Sequence, residues 1–296
     1  MRATTALRLW ALLAILLYAS AAHDGTSDEL QCSSAPQAWP AATGAPTAQP
    51  GDDVPDIRIL CNPGFVIGYD RRRGSAAWVA YRVTPVLDYR HLPRPEFQPD
   101  PRVEHAAPHA IYRQRKYDRG HLAPNYAMAQ LHGRKAQIHS FYFSNIAPQS
   151  QRLNQLLWQR LEEIEIDRLA PRLGRLWVLV GPIHGAAESP VPSAFFRIWL
   201  GRMGDAGPWQ AMAFRVPQAV HGDERLDDFL VSIRAIEEAT GLDFFSNLAQ
   251  PLEDALEAQP AAAELWGFHQ HACMPARYRR HWRQRDGIVL DFERCD

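Results

Sequence analysis

The sequence predicts one α+β domain in which helices flank a mixed or antiparallel central sheet. Short runs rich in β-branched and aromatic residues recur along the chain, and such runs are typical of strands. Longer stretches with apolar residues at helical spacing lie between and after these runs. Because no internal repeat and no second-domain boundary divides the 296 residues, a single hydrophobic core is the simplest arrangement.

The predicted elements follow from composition and periodicity. Helical spacing predicts one helix over about Ser150–Leu169 and another over Leu226–Ala239, which Gly241 would end. A weak helix is expected after Pro251. The predicted strands are, in chain order, Ile57–Leu60, Phe65–Tyr69, Ala77–Leu87, Ile138–Phe143, Leu176–Gly181, Phe195–Leu200 and Trp209–Val216.

Residues 1–22 have the pattern of a secretory signal peptide. Arg2 and Arg8 precede a short apolar run, and the small residues that follow predict cleavage after Ala21 or Ala22. An uncleaved membrane anchor is the alternative, but the run is short for a span of about 20 residues. We therefore expect an exported protein, periplasmic or secreted, with no stable membrane association after cleavage.

Three further parts of the chain differ in composition. Residues 23–56 are rich in Pro and Ala and predict an irregular segment, whereas residues 57–250 contain almost all of the predicted elements. Residues 251–296 are expected to form a C-terminal extension of the same domain.

Four cysteines in an exported chain indicate disulfides. Three pairings are open, and nearness in sequence favours Cys32–Cys61 and Cys273–Cys295. Free buried thiols are the alternative.

The net charge of −1 gives no general electrostatic attraction to a polyanion. The segment 71–119 is nevertheless basic, with eleven Arg or Lys residues against five Asp or Glu residues. Most of these cations are expected on a solvated surface, but their sign suits a cleft that binds a polyanion.

A cluster of chemically useful side chains lies in the stretch YDRGHLAPN. Asp118, Arg119, Gly120 and His121 are consecutive there. Phosphodiester hydrolysis needs a base for water, a cation for the phosphate and a carboxylate near a metal, and these residue types supply all three. A lone histidine is more often structural, and the acid and the guanidinium beside His121 are what favour a functional role.

Polar residues near the start of the predicted helix extend this cluster. Asn145 lies at the strand–helix junction, Asn154 in the first turn, and Glu162 about 12 Å further along the helix axis. Asparagine oxygen is a suitable Mg²⁺ ligand when waters and phosphate oxygens complete the shell. The alternative is a polar helix start for Asn154 and a solvated face for Glu162.

On these motifs the chain resembles the DNA/RNA non-specific endonuclease family, the ββα-metal nucleases. The resemblance rests on DRGH at Asp118–His121 and on SNIAPQSQRLNQLLWQRLE at Ser144–Glu162. Further similarities at AWVAYRV, VLVGPI and TGLDFF extend it from about Leu60 to Leu248. It implies a ββα-metal active-site motif within the α+β fold and an endonuclease domain over residues 57–250.

The resemblance implies roles for four residues around one metal ion. His121 would be the general base that activates water, and Asn154 would be the direct protein ligand of Mg²⁺, which Mn²⁺ can replace. Asp118 and Glu162 would bind that ion through its water molecules.

Further roles concern the phosphate and the backbone. The resemblance implies that Arg119 supports the phosphate or shapes the site and that Asn145 positions His121 or the neighbouring backbone. Arg94 is the best match to an upstream phosphate-binding arginine, with Arg90 and Arg82 as the alternatives.

The implied function is an exported Mg²⁺-dependent endonuclease that cuts DNA and RNA with little sequence preference. A non-catalytic nucleic-acid-binding protein that kept the fold is one alternative, and a phosphodiesterase with a small or lipid-linked substrate is another. The oligomeric state stays open, a homodimer included.

Overall fold

The computed structural model describes residues 32, 38–40, 42–50, 54–103, 110–113, 116–185, 189–277 and 290. The predicted signal peptide lies outside the described residues, and so does Cys295 of the second predicted disulfide. Within these ranges, no helix has the length and apolar character needed to cross a membrane.

The described chain contains both strands and helices, with several strands following one another directly. The strands are β1 (Thr47–Ala48), β2 (Ile57–Asn62), β3 (Phe65–Asp70), β4 (Ser75–Val83), β5 (Tyr117–His121), β6 (Ile146–Ser150), β7 (Leu176–Ile183), β8 (Ala194–Gly201), β9 (Gln210–Pro217), β10 (Leu230–Val231) and β11 (Leu242–Asp243). The helices are α1 (Ala110–Arg113), α2 (Asn125–Ala127), α3 (Gly133–Ser140), α4 (151–173), α5 (Ile233–Thr240) and α6 (Gln250–Glu257). A π-helical turn, Met128–His132, follows α2, and 3₁₀ turns occur at Phe143–Asn145, Leu226–Phe229 and Leu265–Gln270.

A seven-stranded antiparallel sheet in the order β10-β9-β8-β7-β4-β3-β2 forms the centre of the molecule. Both of its faces are covered, because successive side chains of each strand point to opposite sides. On β4, Val79 and Tyr81 belong to the core that contains Leu157 of α4, whereas Trp78 and Ala80 belong to the core on the other face. The sheet is therefore the middle layer between two hydrophobic cores.

A separate two-stranded antiparallel sheet, β5–β6, whose strands are connected through α2 and α3, leads directly into α4. Ser150 links the two elements, since its Oγ accepts the backbone N–H of Leu153 at 3.3 Å, as a helix-capping side chain does. Gln218, just after β9, fixes this two-stranded sheet to the main sheet. It accepts from the Ser150 N–H at 2.8 Å and donates to the Pro148 carbonyl at 2.6 Å.

The first 56 residues contribute packed structure in the part that is described. β1 pairs with β11, and Trp39 lies edge-on to Trp78 with ring centroids 5.9 Å apart. The predicted Cys32–Cys61 disulfide is present. Cys273 is also disulfide-bonded.

The predicted α+β fold is confirmed, and its sheet is antiparallel. Six of the seven predicted strands lie in the central sheet. The helix predicted over about Ser150–Leu169 is α4, although it extends to residue 173 and begins just after Ser150, which belongs to β6. Gly241 ends α5 with φ of 68°, the left-handed conformation expected of a stop glycine.

Two predicted elements are wrong. The segment Ile138–Phe143 was predicted as a strand, but Ile138 to Ser140 complete α3, and Phe141 and Phe143 are buried. Tertiary packing of these aromatics overrides their β propensity. The helix predicted over Leu226–Ala239 begins only at Ile233, because β10 first pairs with β9 and Ser232 caps the helix from its side chain.

Gly68 provides a test of the packing on β3. It lies opposite Trp78, and a Cβ atom placed on Gly68 would meet the indole Cε2 at 2.1 Å. Gly68→Ala should therefore lower the free energy of unfolding by about 1–3 kcal/mol, the usual cost of overpacking a core. Urea denaturation of Gly68→Ala, Trp78→Phe and the double variant should give a double cost smaller than the sum of the two single costs. Additive costs would contradict the proposed clash.

Candidate active site

A cleft of about 860 Å³ opens where the β5–β6 sheet meets the beginning of α4. Side chains from β5, from α4 and from the segment before α1 form its walls. The lining residues include Arg94, Phe97, Tyr112, Asp118, Arg119, His121, Asn125, Tyr126, Asn154, Gln155, Gln159, Glu162, Glu163 and Arg277. The cleft thus contains every proposed site residue except Asn145.

His121 ends β5 and is only 8% exposed. Its ring contacts Phe141 and Phe97, with centroid separations of 4.6 and 5.4 Å. Nε2 is enclosed and has no hydrogen-bond partner among the described residues. Burial lowers the pKa of His121 to about 3, with a further contribution from the Arg94 guanidinium, so the imidazole is neutral near pH 7.

Asn145 lies behind the cleft and is fully buried. Its Oδ1 accepts the Ala123 N–H at 2.9 Å, while Nδ2 donates to the carbonyls of Ala123 and Ser140 at 3.0 and 2.8 Å. Its own carbonyl accepts the Leu122 N–H at 3.0 Å. These bonds fix the backbone immediately after His121.

Asp118 connects the β5–β6 sheet to α4. Its Oδ2 accepts hydrogen bonds from Asn154 Nδ2 at 2.9 Å and from Gln155 Nε2 at 2.6 Å. The structure therefore brings the two predicted halves of the site into direct contact. Since the amide of Asn154 donates through nitrogen, its Oδ1 can serve as an acceptor or a metal ligand.

Gly120 of β5 allows a side chain of β6 to pack closely against the β5 backbone. A Cβ atom at this position would lie 2.0 Å from Gln149 Oε1, on the strand opposite. Gly120 therefore makes room for the buried Gln149 side chain, which a larger residue at this position would displace.

Two guanidinium groups line the cleft against aromatic rings. The Arg119 guanidinium lies 5.3 Å from the ring centroids of both Phe97 and Tyr112. That of Arg94 lies 5.1 Å from the Phe141 centroid and 5.9 Å from that of Phe97. Cation–π contacts of this kind orient a guanidinium while it keeps hydrogen-bonding capacity.

The alternative arginines lie elsewhere. Arg90 and Arg82 are both absent from the cleft lining, and the backbone of Arg90 instead pairs with Gln130 through hydrogen bonds of 2.7 and 2.8 Å. Arg102 and Arg71 of the basic segment form ion pairs with Asp100 and Asp56. Of the three candidates for an upstream phosphate ligand, only Arg94 lines the cleft.

Glu162 of α4 lines the cleft, and a buried arginine contacts its carboxylate from the core side. Its Oε1 lies 3.6 Å from an amino nitrogen of the fully buried Arg197, which also binds Glu165 at 3.0 Å. Burial raises the pKa of Glu162 to about 8, although the Arg197 charge opposes this shift. A cation in the cleft would favour the ionised form of Glu162.

The donor set of the cleft suits a hard divalent cation. Asn154, Asp118 and Glu162 offer oxygen atoms only, as Mg²⁺ prefers. The described residues hold no cluster of three or more His, Cys, Asp or Glu side chains that would enclose an ion. Such a site would therefore leave most of the coordination shell to water and phosphate oxygen.

Several functional neighbours escaped the sequence analysis. Gln155 was seen only as part of a motif, and the aromatic partners of Arg119 were not identified. Two signals could have revealed Arg197 and Glu165: an arginine in the apolar strand AFFRIWLG, and a glutamate one helical turn after Glu162. Arg277, in the C-terminal extension, has no sequence pattern around it that indicates a functional position.

Comparisons with known proteins find a family model, curated relatives and a solved structure that are similar to this chain. The model of the DNA/RNA non-specific endonuclease family matches residues 43–250. Mitochondrial endonuclease G of Bos taurus is 30% identical, over 71% of this chain and 78% of that protein, and its Homo sapiens counterpart is 32% identical, over 64% and 70%. A solved structure of an EndoG/EndoGI complex shares the fold, with a TM-score of 0.58 at 24% identity, over 65% of this chain and 87% of that one.

The electrostatic setting of His121 can be tested by NMR titration of its imidazole Cε1–H. The wild-type ring should stay neutral down to about pH 4. Arg94→Gln removes a nearby positive charge, so the pKa of His121 should rise while burial keeps it below its ordinary value. Arg215→Gln, which changes an exposed arginine of β9, should leave the pKa of His121 unchanged. An unchanged pKa in Arg94→Gln would contradict the assignment.

Proposed function

This chain belongs to the DNA/RNA non-specific endonuclease family, and we propose that it is an exported Mg²⁺-dependent endonuclease that cuts DNA and RNA without strong sequence preference. One observation carries the proposal. The Asp118–Asn154 hydrogen bond of 2.9 Å joins β5 to α4 in the same cleft that His121 and Arg119 line. The residues proposed as base, as phosphate-binding cation and as metal ligands thus line one cleft.

His121 is proposed to take a proton from the attacking water. Its imidazole is neutral near pH 7, so a ring nitrogen has a lone pair that can accept a proton. Because Nε2 is enclosed, we propose that Nδ1 is the ring nitrogen that accepts the proton. The contacts with Phe97 and Phe141 and the bonds of Asn145 to the following backbone keep the ring in place.

Arg119 and Arg94 are proposed to bind phosphate oxygens. Both guanidinium groups rest on aromatic rings and line the cleft. Contacts to the phosphate backbone carry no information about base identity, which accounts for the weak sequence preference. The same contacts serve DNA and RNA alike.

Asn154 is proposed as the direct protein ligand of Mg²⁺, with Asp118 and Glu162 acting through water. When bound, the ion would offset the charge that develops on the phosphate and on the leaving oxygen. Asp118 holds the Asn154 amide so that its nitrogen is engaged and its oxygen is left for the cation. Mn²⁺, which accepts similar ligands, should also support activity.

Export is proposed from the N-terminal pattern, and the disulfide Cys32–Cys61 supports it, because disulfides persist in oxidising compartments. The endonuclease G relatives are named as mitochondrial proteins. N-terminal sequencing of the mature protein tests the predicted signal-peptide cleavage: a start after Ala21 or Ala22 is expected. A mature form that retains residues 1–22 would contradict this assignment.

His121→Ala should lower the cleavage rate of plasmid DNA and of total RNA by about 10²–10⁴-fold, the usual contribution of a general base. His91→Ala, an exposed histidine that does not line the cleft, should cut at the wild-type rate. Cleavage by His121→Ala at the wild-type rate would rule out the proposed base. A wild-type protein that binds both substrates without cutting them would indicate the non-catalytic alternative.

Asn154→Ala should raise the Mg²⁺ concentration needed for half-maximal cleavage by at least about tenfold, because the direct ligand is lost. Calorimetric titration with Mg²⁺ should show the same weakening. Asn125→Ala provides the matched control, since Asn125 is a second amide in the cleft. Equal loss of metal affinity in both variants would show that Asn154 is not the specific ligand.

A further inference from the structure

The C-terminal extension reaches the cleft through Arg277, which lies beyond the matched family region. Arg160 of α4 holds this extension by hydrogen bonds to two of its backbone carbonyls, and it binds two further carbonyls just before the 3₁₀ turn Leu226–Phe229. It donates to Met274 and Ala272 at 2.7 and 2.5 Å, and to Glu224 and Gly222 at 2.7 and 3.4 Å. A buried guanidinium with this many backbone partners fixes the path of the chain up to Arg277.

Arg277 pairs with two acids of the helix that forms the cleft wall. Its Nη2 donates to Asp167 Oδ2, and its Nε lies 3.6 Å from Glu163 Oε1. The Arg277 backbone N–H also donates to Glu163 Oε1 at 3.3 Å. Glu163, Asp167 and Arg160 are three to four residues apart, so they share one side of α4, along which the extension lies.

One of these two carboxylates lines the cleft, and the other lies one helical turn further along α4. Glu163 lines the cleft, next to Glu162, and Asp167 follows one turn later. The side chains of Glu163 and Asp167 remain 17% and 31% exposed, and that of Arg277 49% exposed. Without Arg277, two unpaired negative charges would face an incoming nucleic acid strand.

We propose that Arg277 is a positioning residue for substrate, because it neutralises Glu163 and Asp167 and so makes this end of the cleft acceptable to a polyanion. The proposal rests on the nuclease function given above. It assigns the C-terminal extension a part in substrate binding, through charge compensation on the protein and not through a contact to phosphate. The Arg277 guanidinium already has carboxylate partners, which is why compensation is favoured over direct phosphate binding.

The test compares steady-state cleavage of plasmid DNA by four proteins at low and high salt. Arg277→Gln should raise KM about three- to tenfold at low ionic strength with kcat little changed, because repulsion acts on the approaching strand. The increase should shrink in 0.3 M NaCl. Arg168→Gln removes an exposed cation next to Asp167, so it has the same net charge as Arg277→Gln, and it should retain the wild-type KM.

The decisive protein is the triple variant Arg277→Gln, Glu163→Gln, Asp167→Asn. If Arg277 acts by neutralising the two acids, removal of their charges should return KM to the wild-type value or below it. A triple variant as impaired as Arg277→Gln would overturn the proposal and indicate a direct phosphate contact. An unchanged KM in Arg277→Gln would overturn it as well.

Two controls separate other failures from this one. Thermal unfolding midpoints within about 2 °C of wild type confirm that a KM change does not reflect lost structure. If the wild-type protein fails to cut DNA at all, the proposed nuclease function is what fails. If the wild type cuts and Arg277→Gln cuts with the same KM and salt dependence, only the role of Arg277 fails.

Discussion

The buried pairing of Glu165 with Arg197 fixes the active-site helix on the central sheet. Both side chains are fully buried, and Glu165 also accepts hydrogen bonds from Tyr81 at 2.9 Å and Trp199 at 2.6 Å. Breaking a buried ion pair by removing one partner commonly costs about 3–5 kcal/mol, because the other charge is left uncompensated. The rotation of α4 about its axis is therefore held by charge as well as by its apolar side chains, and Glu162, one turn earlier, is thereby directed to the cleft.

The side chains of β5 point in two directions. Successive residues of a strand point to opposite faces, so Asp118 meets α4, whereas Arg119 and His121 meet the aromatic ring of Phe97. The carboxylate is thus separated from the imidazole although the two lie three residues apart. β5 thus places Asp118, which we propose acts on the metal side, and His121, the proposed base, on opposite faces of one strand, although both line the same cleft.

Local patterns predicted much of this arrangement, and long-range packing determined the rest. Alternation and helical spacing predicted the sheet and α4, and the motif resemblance selected residues that all lie in or next to the cleft. The segment around Phe141 was misread because its burial depends on contacts with distant residues such as Phe97. Arg277 was missed for the same reason, since its partners on α4 precede it by more than a hundred residues. No local pattern records such a contact.

Charge compensation distinguishes the carboxylates of the cleft from one another. Arg197 supports Glu162 from within the core, and Arg277 pairs with Glu163 from the surface. Asp118 differs, because its hydrogen-bond partners among the described residues are the neutral amides of Asn154 and Gln155. A carboxylate without a cationic partner, beside an amide oxygen and in a cleft that must receive phosphate, repels the substrate unless a cation is added. Asp118, which has no cationic partner among the described residues, thus lies next to the amide whose oxygen is proposed to bind the metal.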